Sequence, residues 1–392
     1  MNYEKAVEEL ESRGSGRKEP ALEATRKALD LLENPEEDYR VVLVGGTNGK
    51  GSTVEMASEA LRARGLDVGV YKSPHLVSAR ERIRFNGEDI GKDEFTGLYR
   101  EIQGKGDLTF FESLTVMAFL HFSRKDADIA VMEVGMGGRL DATNAVEPEV
   151  AAITNIAEDH TQYLGESREE IAREKAGIIP ENGKVVAGDM LEPVLETAAE
   201  RGAEVLEPVE LERVGESYVL DGQRFELPVR GGFQQDNLEV ALRVVEELEG
   251  RPEYLEAAFE QLECPGRMEV VSRRPMYIQD GAHNPEALRR IISDLPEEFT
   301  CVFSALETKD IGEMVSILEE KASRFYVTEP GFRLAADPED IAEELSVPYE
   351  IVEDPGEAAE KAREDAGEDG AVVVTGSLYL VGDVKEAEED GA

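Results

Sequence analysis

Residues 41–53, VVLVGGTNGKGST, constrain this chain more than any other stretch. Four apolar residues, Val41 to Val44, run straight into glycines, the pattern of a short buried strand that ends in a turn. Gly45, Gly46, Gly49 and Gly51 surround Lys50, and Ser52 and Thr53 follow. Glycines let the backbone curl until several N–H groups point at one anion, and a helix over about 52–64 adds the positive end of its dipole. Lys50 brings a point charge to the terminal phosphates, and Ser52 or Thr53 a hydroxyl to Mg²⁺. Gly51 separates the Gly-Lys pair from the hydroxyl that usually follows it directly. A glycine-rich turn that binds nothing has no need of strand, glycines, lysine, hydroxyl and helix in this order. The stretch reads as a nucleotide site, with Gly46, Thr47, Asn48, Gly49, Lys50, Gly51, Ser52 and Thr53 around the phosphates.

The alternation of strand and helix continues along the chain. Residues 2–34 read as two helices, 67–72 as a second strand, and 73–90 as an irregular loop leading to a strand around Ile83 and Phe85. A helix is expected over 109–122, strands over 128–134 and 150–155, and a helix over 168–176 with glutamates in its first turn. A strand over 184–187 and a helix over 191–201 follow. Residues 204–230 read as short antiparallel strands, and 233–250 as a helix closed by Gly250. Pro265-Gly266 is the best boundary. Beyond it a new alternation begins, with strands near 268–272, 276–279, 299–304, 323–328, 349–352 and 371–374. The expected architecture is α/β: an open, mostly parallel sheet domain carrying the phosphate loop over 1–264, then a smaller Rossmann-like domain over 265–392.

A chain of 392 residues is long enough for two domains and a large core. Its formal net charge is −44, with acidic residues about twice the basic ones and spread throughout, and Arg outnumbers Lys two to one. Such a spread fits a surface adapted to high salt, where screening shortens the reach of self-repulsion. Nucleic acid is a poor partner, because Lys/Arg stripes that would neutralise phosphates are absent. Cys264 and Cys301 are far apart and outside any CxxC pattern, so neither zinc nor a disulfide framework is suggested. The first ten residues lack the apolar run of a signal peptide, and no window approaches 18 apolar residues. The reading is cytoplasmic, away from membranes.

In an open parallel sheet, ligands sit beyond the carboxyl ends of the strands. Four expected strand ends carry Lys50 with Ser52, Ser73-Pro74-His75, Glu133, and Asp159-His160. If these strands are neighbours, Ser52, Glu133 and His160 converge. A hydroxyl, a carboxylate and an imidazole then form a Mg²⁺ set completed by phosphate oxygens and water, although imidazole is an unusual ligand for that ion. Taken singly, His160 reads equally as a loop histidine, Lys175 as a surface lysine on a helix, and Asp280 and His283 as a capping aspartate and a turn histidine.

Taken together, the motifs are sharper. GGTNGKGST, SPHLVSARERIRFNGEDI, EVGMGGRLDATN, ITNIAEDHTQYLG, REEIAREKAGII, PGRMEV, DGAHNPEAL and VVVTGSLYLVGDV stand in this order. The chain thereby resembles the folylpolyglutamate synthase/dihydrofolate synthase family of the Mur ligase superfamily, from about residue 20 to 385. The resemblance implies an ATP-dependent ligase that joins L-glutamate to dihydropteroate or a reduced folate through an acyl phosphate, acting as a monomer. It implies Lys50 on the terminal phosphates, Ser52 and Glu133 on one Mg²⁺, and His160 on a metal nearby. Lys175 matches a lysine that relatives carry as a carbamate, which helps hold a second Mg²⁺, and the scheme leaves a place for a monovalent cation. Asn237 matches an adenine contact, Arg267 and Asp280 match nucleotide contacts, and His283 lies where phosphate and incoming glutamate meet. Ser73, Pro74, His75, Arg80 and Arg82 fall in the loop for the acid substrate, and Asp141 in a loop that some relatives use for the pterin. Catalytic roles fall to Lys50, His160, Lys175 and His283. The sequence departs from the family at Gly45-Gly46, where Ala-Gly is commoner, and at Cys264, where an aromatic residue is usual. Two other readings stay open: a Mur-type ligase for another acid or amino acid, and a nucleotide-binding regulator without ligase activity.

Overall fold

Val41 to Val44 are excluded from solvent, as an apolar run bounded by turn residues demands of a central strand. They lie in β1 (Arg40–Gly45) of an eight-stranded sheet in a computed structural model that describes residues 1–14, 21–159, 161–215, 217–260, 262–332 and 334–390. The other strands are β2 (Val68–Tyr71), β3 (Ile83–Phe85), β4 (Glu88–Asp89), β5 (Ile129–Glu133), β6 (Val150–Ile153), β7 (Lys184–Ala187) and β8 (Glu204–Leu206). Their spatial order is β4-β3-β2-β5-β1-β6-β7-β8. β1 pairs in parallel with β5 on one side, Val44 opposite Glu133, and with β6 on the other, Gly45 opposite Ile153. The chain leaves β1 toward β2 and later leaves β5 toward β6, so the strand order reverses at β1. That reversal opens a crevice beyond the carboxyl ends of β5, β1 and β6.

Two details differ from the sequence reading. Residues 204–206 do not join the antiparallel strands that follow. The helix Glu192–Glu200 carries the chain over the sheet, and β8 pairs in parallel with β7, Lys184 opposite Glu204. Only β9 (Glu212–Val214), β10 (Ser217–Leu220) and β11 (Gln223–Glu226) form the antiparallel meander. The helix Lys92–Ile102 is absent from the sequence reading, although Phe95, Leu98, Tyr99 and Ile102 fall at its buried face with helical spacing and Glu94 caps the Gly91 amide.

By backbone contacts the chain forms two units: residues 1–228 with 235–262, and residues 229–234 with 263–392. In the first, the helix Phe110–Arg124 is apolar nearly all round, and its residues Leu114, Met117, Ala118 and Phe122 join the core together with Met132 and Ile153 of the sheet. The second has its own sheet: β12 (Glu269–Arg273), β13 (Met276–Gln279), β14 (Phe299–Phe303), β15 (Ala322–Val327), β16 (Tyr349–Ile351) and β17 (Ala371–Thr375). Their order is β12-β13-β17-β14-β15-β16, parallel except for the β12–β13 hairpin, and Ile278, Phe303, Phe325 and Val373 fill its core. It is the smaller Rossmann-like domain. Among the described residues, no helix is long and apolar enough to cross a membrane.

Candidate active site

The phosphate loop leaves β1 at Gly45 and enters the helix Lys50–Ala63, which starts two residues earlier than the sequence suggests. Gly46 has φ +133°, and a Cβ there would lie 2.0 Å from Thr154 Oγ1. Gly49 caps the helix at φ +83°, and a Cβ there would lie 2.1 Å from Asn237 Oδ1. Both positions therefore require glycine for conformation and for space. Asn237, on the helix Phe233–Glu249, packs its buried side chain against this turn, and its carbonyl accepts from Thr53 Oγ1.

Thr154 and Asn155, directly beyond β6, hold the loop from the other side. Asn155 Oδ1 accepts from the Asn48 amide at 3.1 Å while its Nδ2 donates to Asn48 O at 2.7 Å. Thr154 Oγ1 donates to the same carbonyl at 2.7 Å, and the Thr47 amide donates to Asn155 O at 2.8 Å. The backbone N–H groups of Thr47 and Asn48 are thus engaged with Asn155, just beyond β6. The amides at the start of the helix Lys50–Ala63, which lack intrahelical acceptors, are the ones turned to an anion. Neither Thr154 nor Asn155 stands out in sequence, yet a polar Thr-Asn pair directly after four buried apolar residues is the signal that would have found them.

Lys50 Nζ donates to Gly46 O at 3.2 Å and Thr47 O at 3.0 Å, which folds the ammonium back over its own loop. Lys175, on the helix Arg168–Ala176, is not a surface lysine. It is buried, and its Nζ donates to Gly46 O at 2.7 Å. Burial, aided by the nearby Lys50 charge and opposed by Asp159 and Asp141, lowers its pKa to about 7. Glu133 ends β5, buried, and its Oε2 accepts from the Ser73 amide at 3.0 Å. Ser52 is buried in the first helical turn. A hydroxyl and a carboxylate at adjacent strand ends are hard oxygen donors that suit Mg²⁺. Among the described residues no three His, Cys, Asp or Glu groups cluster as a metal set, so such an ion would draw on phosphate oxygens and water as well. His160 lies outside the described residues.

The loop after β2 is tied down from within. Glu81 accepts from the amides of Leu76 at 2.8 Å, Val77 at 2.9 Å and Ser78 at 2.5 Å. Ser78 returns the favour as N-cap of the short helix Ala79–Arg82, which completes a capping box. Arg80 donates through Nε to Ile90 O, and buried Arg82 donates through Nε to His75 Nδ1 at 2.7 Å. The Arg82 guanidinium also covers the Phe110 ring at 5.1 Å. Burial first, and Arg82 second, drive the His75 pKa down to about 3. Asp141 is buried and turned toward its own loop, accepting from the Met136 amide at 2.9 Å and from both the amide and the hydroxyl of Thr143.

In the second unit, Asp280 follows β13 and locks two loops together. Its carboxylate accepts from the Met268 amide at 2.7 Å and the Ala282 amide at 2.8 Å, while burial raises its pKa against the pull of Arg267. Arg267 belongs to the tight turn of Pro265-Gly266, its amide bonded to Cys264 O. His283 Nδ1 donates to Gly281 O at 2.9 Å, and Asn284 caps the helix Pro285–Ile291.

Comparisons with known proteins agree with this geometry. The family profile described as Mur ligase middle domain matches residues 44–244, and that described as Mur ligase, glutamate ligase domain, matches residues 266–378. A dihydrofolate synthase/folylpolyglutamate synthase of Bacillus subtilis is 31% identical over 94% of this chain and 94% of its own length. A probable bifunctional folylpolyglutamate synthase/dihydropteroate synthase of Haloferax volcanii is 34% identical over 98% of this chain, which spans about half, 50%, of that longer protein. The haloarchaeal relative accords with the high-salt reading of the charge. A crystal structure of a bifunctional folylpolyglutamate synthase/dihydrofolate synthase of Yersinia pestis, complexed with AMPPNP and Mn ion, superposes with a TM-score of 0.90 at 32% identity, covering 99% of this chain and 98% of that one.

Proposed function

The chain belongs to the folylpolyglutamate synthase/dihydrofolate synthase family of the Mur ligases, and from that premise we propose that it is an ATP-dependent ligase joining L-glutamate to the carboxylate of a pteroate or folate. The observation that carries the reading is the phosphate loop fixed between Thr154, Asn155 and Lys175, with Lys50, Ser52 and Glu133 around it. A regulator that only bound nucleotide would have no use for this set beside a preorganised second loop.

In the proposed reaction the acid's carboxylate attacks the γ-phosphorus of ATP, giving an acyl phosphate and ADP. The α-amine of glutamate attacks the acyl carbon, loses a proton, and phosphate leaves as the amide forms. No protein nucleophile is needed. The protein's contribution is position and charge: Lys50 and the first-turn amides hold the terminal phosphates where negative charge is redistributed. Ser52 and Glu133 would hold Mg²⁺, which supplies charge neutralisation across the terminal phosphates when bound. Arg267, Asp280 and His283 of the second unit are assigned to nucleotide and glutamate, with Asp280 setting the turn that carries Arg267. A lysine amine with a pKa near 7 is about half neutral, and to that extent nucleophilic, at neutral pH, so Lys175 is suited to take up CO₂ as a carbamate with loss of one proton. That anion would help hold a second divalent ion.

The test is phosphate release by the purified protein in molar KCl with Mg²⁺, ATP and glutamate, with dihydropteroate and tetrahydrofolate supplied separately and products weighed by mass spectrometry. Release only with dihydropteroate makes it a dihydrofolate synthase, release only with tetrahydrofolate a folylpolyglutamate synthase, and release with both a bifunctional enzyme. Folded, ATP-binding protein that releases phosphate with neither acid overturns the folate assignment.

A further inference from the structure

The loop over residues 73–82 has nearly all its polar groups committed. The Ser73 amide is on Glu133, the amides of Leu76, Val77 and Ser78 are on Glu81, Ser78 Oγ is 3.0 Å from Tyr3 Oη, and Arg80 is on Ile90 O. His75 sits in the middle of this frame, half-buried, with its ring 6.4 Å from that of Phe110. Its Nδ1 accepts from Arg82 Nε, and a guanidinium N–H can only donate. A neutral imidazole whose Nδ1 accepts must carry its proton on Nε2. Among the described residues, Nε2 has no hydrogen-bond partner, and the loop that carries it leaves β2 at the same carboxyl edge as Glu133 and the phosphate loop.

We propose that His75 is a substrate-binding residue of fixed tautomer, offering Nε2–H, and only Nε2–H, to a carboxylate, carbonyl or ring-nitrogen acceptor of the acid substrate, with Arg82 as the positioning residue that sets the tautomer. Adding a proton at Nδ1 would break the Arg82 bond and set two cations 2.7 Å apart, so the ring stays a neutral donor across the working pH range. A donor that cannot become an acceptor selects ligands by the lone pair they present and rejects isosteres that place an N–H at the same point. The identity of the acid rests on the folate reading given above; the tautomer does not.

The experiment is ¹⁵N NMR of the whole protein with histidine labelled at the ring, in high salt, with and without dihydropteroate or tetrahydrofolate. The chain has four histidines, and the His75→Gln variant assigns the pair of ring signals that disappears. The free protein should show Nε2 of His75 protonated and Nδ1 bare from pH 6 to 9, and the acid should move the Nε2 signal. Kinetically, His75→Phe should raise the KM for the acid about three- to tenfold with the KM for ATP unchanged. His75→Gln, whose amide N–H lies where Nε2 was, should recover most of that loss, whereas Arg82→Met should act like His75→Phe. A protonated Nδ1, or an Nε2 signal unmoved by an acid that the enzyme turns over, overturns the proposal and leaves the folate ligase standing. A shifted Nε2 signal on binding of an acid that is not turned over supports the proposal and counts against the folate ligase.

Discussion

The phosphate loop and the loop after β2 stand at the same sheet edge and are held in opposite ways. The phosphate loop is fixed by groups far away in sequence: Asn155 is 107 residues from Asn48, and Lys175 is 129 residues from Gly46. The loop after β2 is fixed chiefly by its neighbours, with Glu81 reaching back three to five residues and Arg82 seven, and has two long-range ties, from the Ser73 amide to Glu133 and from Ser78 to Tyr3. A non-locally held loop takes its shape only when the sheet is complete. A locally held one carries much of its shape in its own sequence. The two should therefore fail differently: damage to the first should fall on ATP and on chemistry, and damage to the second on the acid alone.

The largest effect should come from Gly49→Ala. The added Cβ meets Asn237 Oδ1 in a left-handed turn, so either the turn or Asn237 must move and the helix amides lose their aim. Misaimed donors cost roughly 10²–10³-fold in turnover, measured as phosphate release at saturating substrates with circular dichroism as the control for folding. Full activity would mean that the loop tolerates a different path and that its non-local supports are not what shape it. Next in size is Asn155→Ala, which removes both side-chain bonds to Asn48. Two neutral hydrogen bonds at about 1 kcal/mol each correspond to roughly a thirtyfold rise in the KM for ATP. The KM for the acid should not move, and a change there of equal size would erase the distinction between the loops.

Glu81→Ala sharpens the other side of the comparison. It frees three amides and removes half of a capping box, a loss of about 1–2 kcal/mol. The expected outcome is a KM for the acid raised about fivefold, an unchanged KM for ATP, and a small fall in Tm. A loss confined to Tm would reduce Glu81 to a structural brace.

The same contrast explains what the sequence discloses. The phosphate loop is legible as a site because Lys50, its glycines and the flanking strand and helix are contiguous. Its supports are not, because nothing in Thr154-Asn155 or Lys175 announces which carbonyl each will meet until β6 lies beside β1. Taken singly, Lys175 reads as a solvent-facing residue of a polar helix, and before the fold buries it only the motif resemblance points to the site. The capping box of Ser78 and Glu81 was open to local reading, as was the helix Lys92–Ile102, whose apolar spacing is regular. β8 escapes a local reading for the opposite reason: parallel pairing across a helix leaves no local mark, while the turn signals after it suggest hairpins. The roles proposed for Asp280 and His283 rest on motif resemblance, whereas the two amides that Asp280 joins, those of Met268 and Ala282, are visible only once the loops are side by side.

The smallest effect is a stability difference, and it bears on why the first loop is built as it is. Lys175 has a pKa of about 7 in the folded chain and an ordinary lysine value when unfolded. Between those values the unfolded chain binds more protons, so stability rises with pH across that window. Below it both states are charged, and the full cost of burying the ammonium remains. Lys175→Met should therefore raise Tm by a few degrees at pH 7, and by less as pH approaches 10, while abolishing turnover. The sign of this change discriminates between two accounts of the bond to Gly46 O. A Tm that falls on substitution would make that bond a net structural support, as Asn155 is. A Tm that rises would show that the lysine is kept against stability, which is what a residue retained for its chemistry requires.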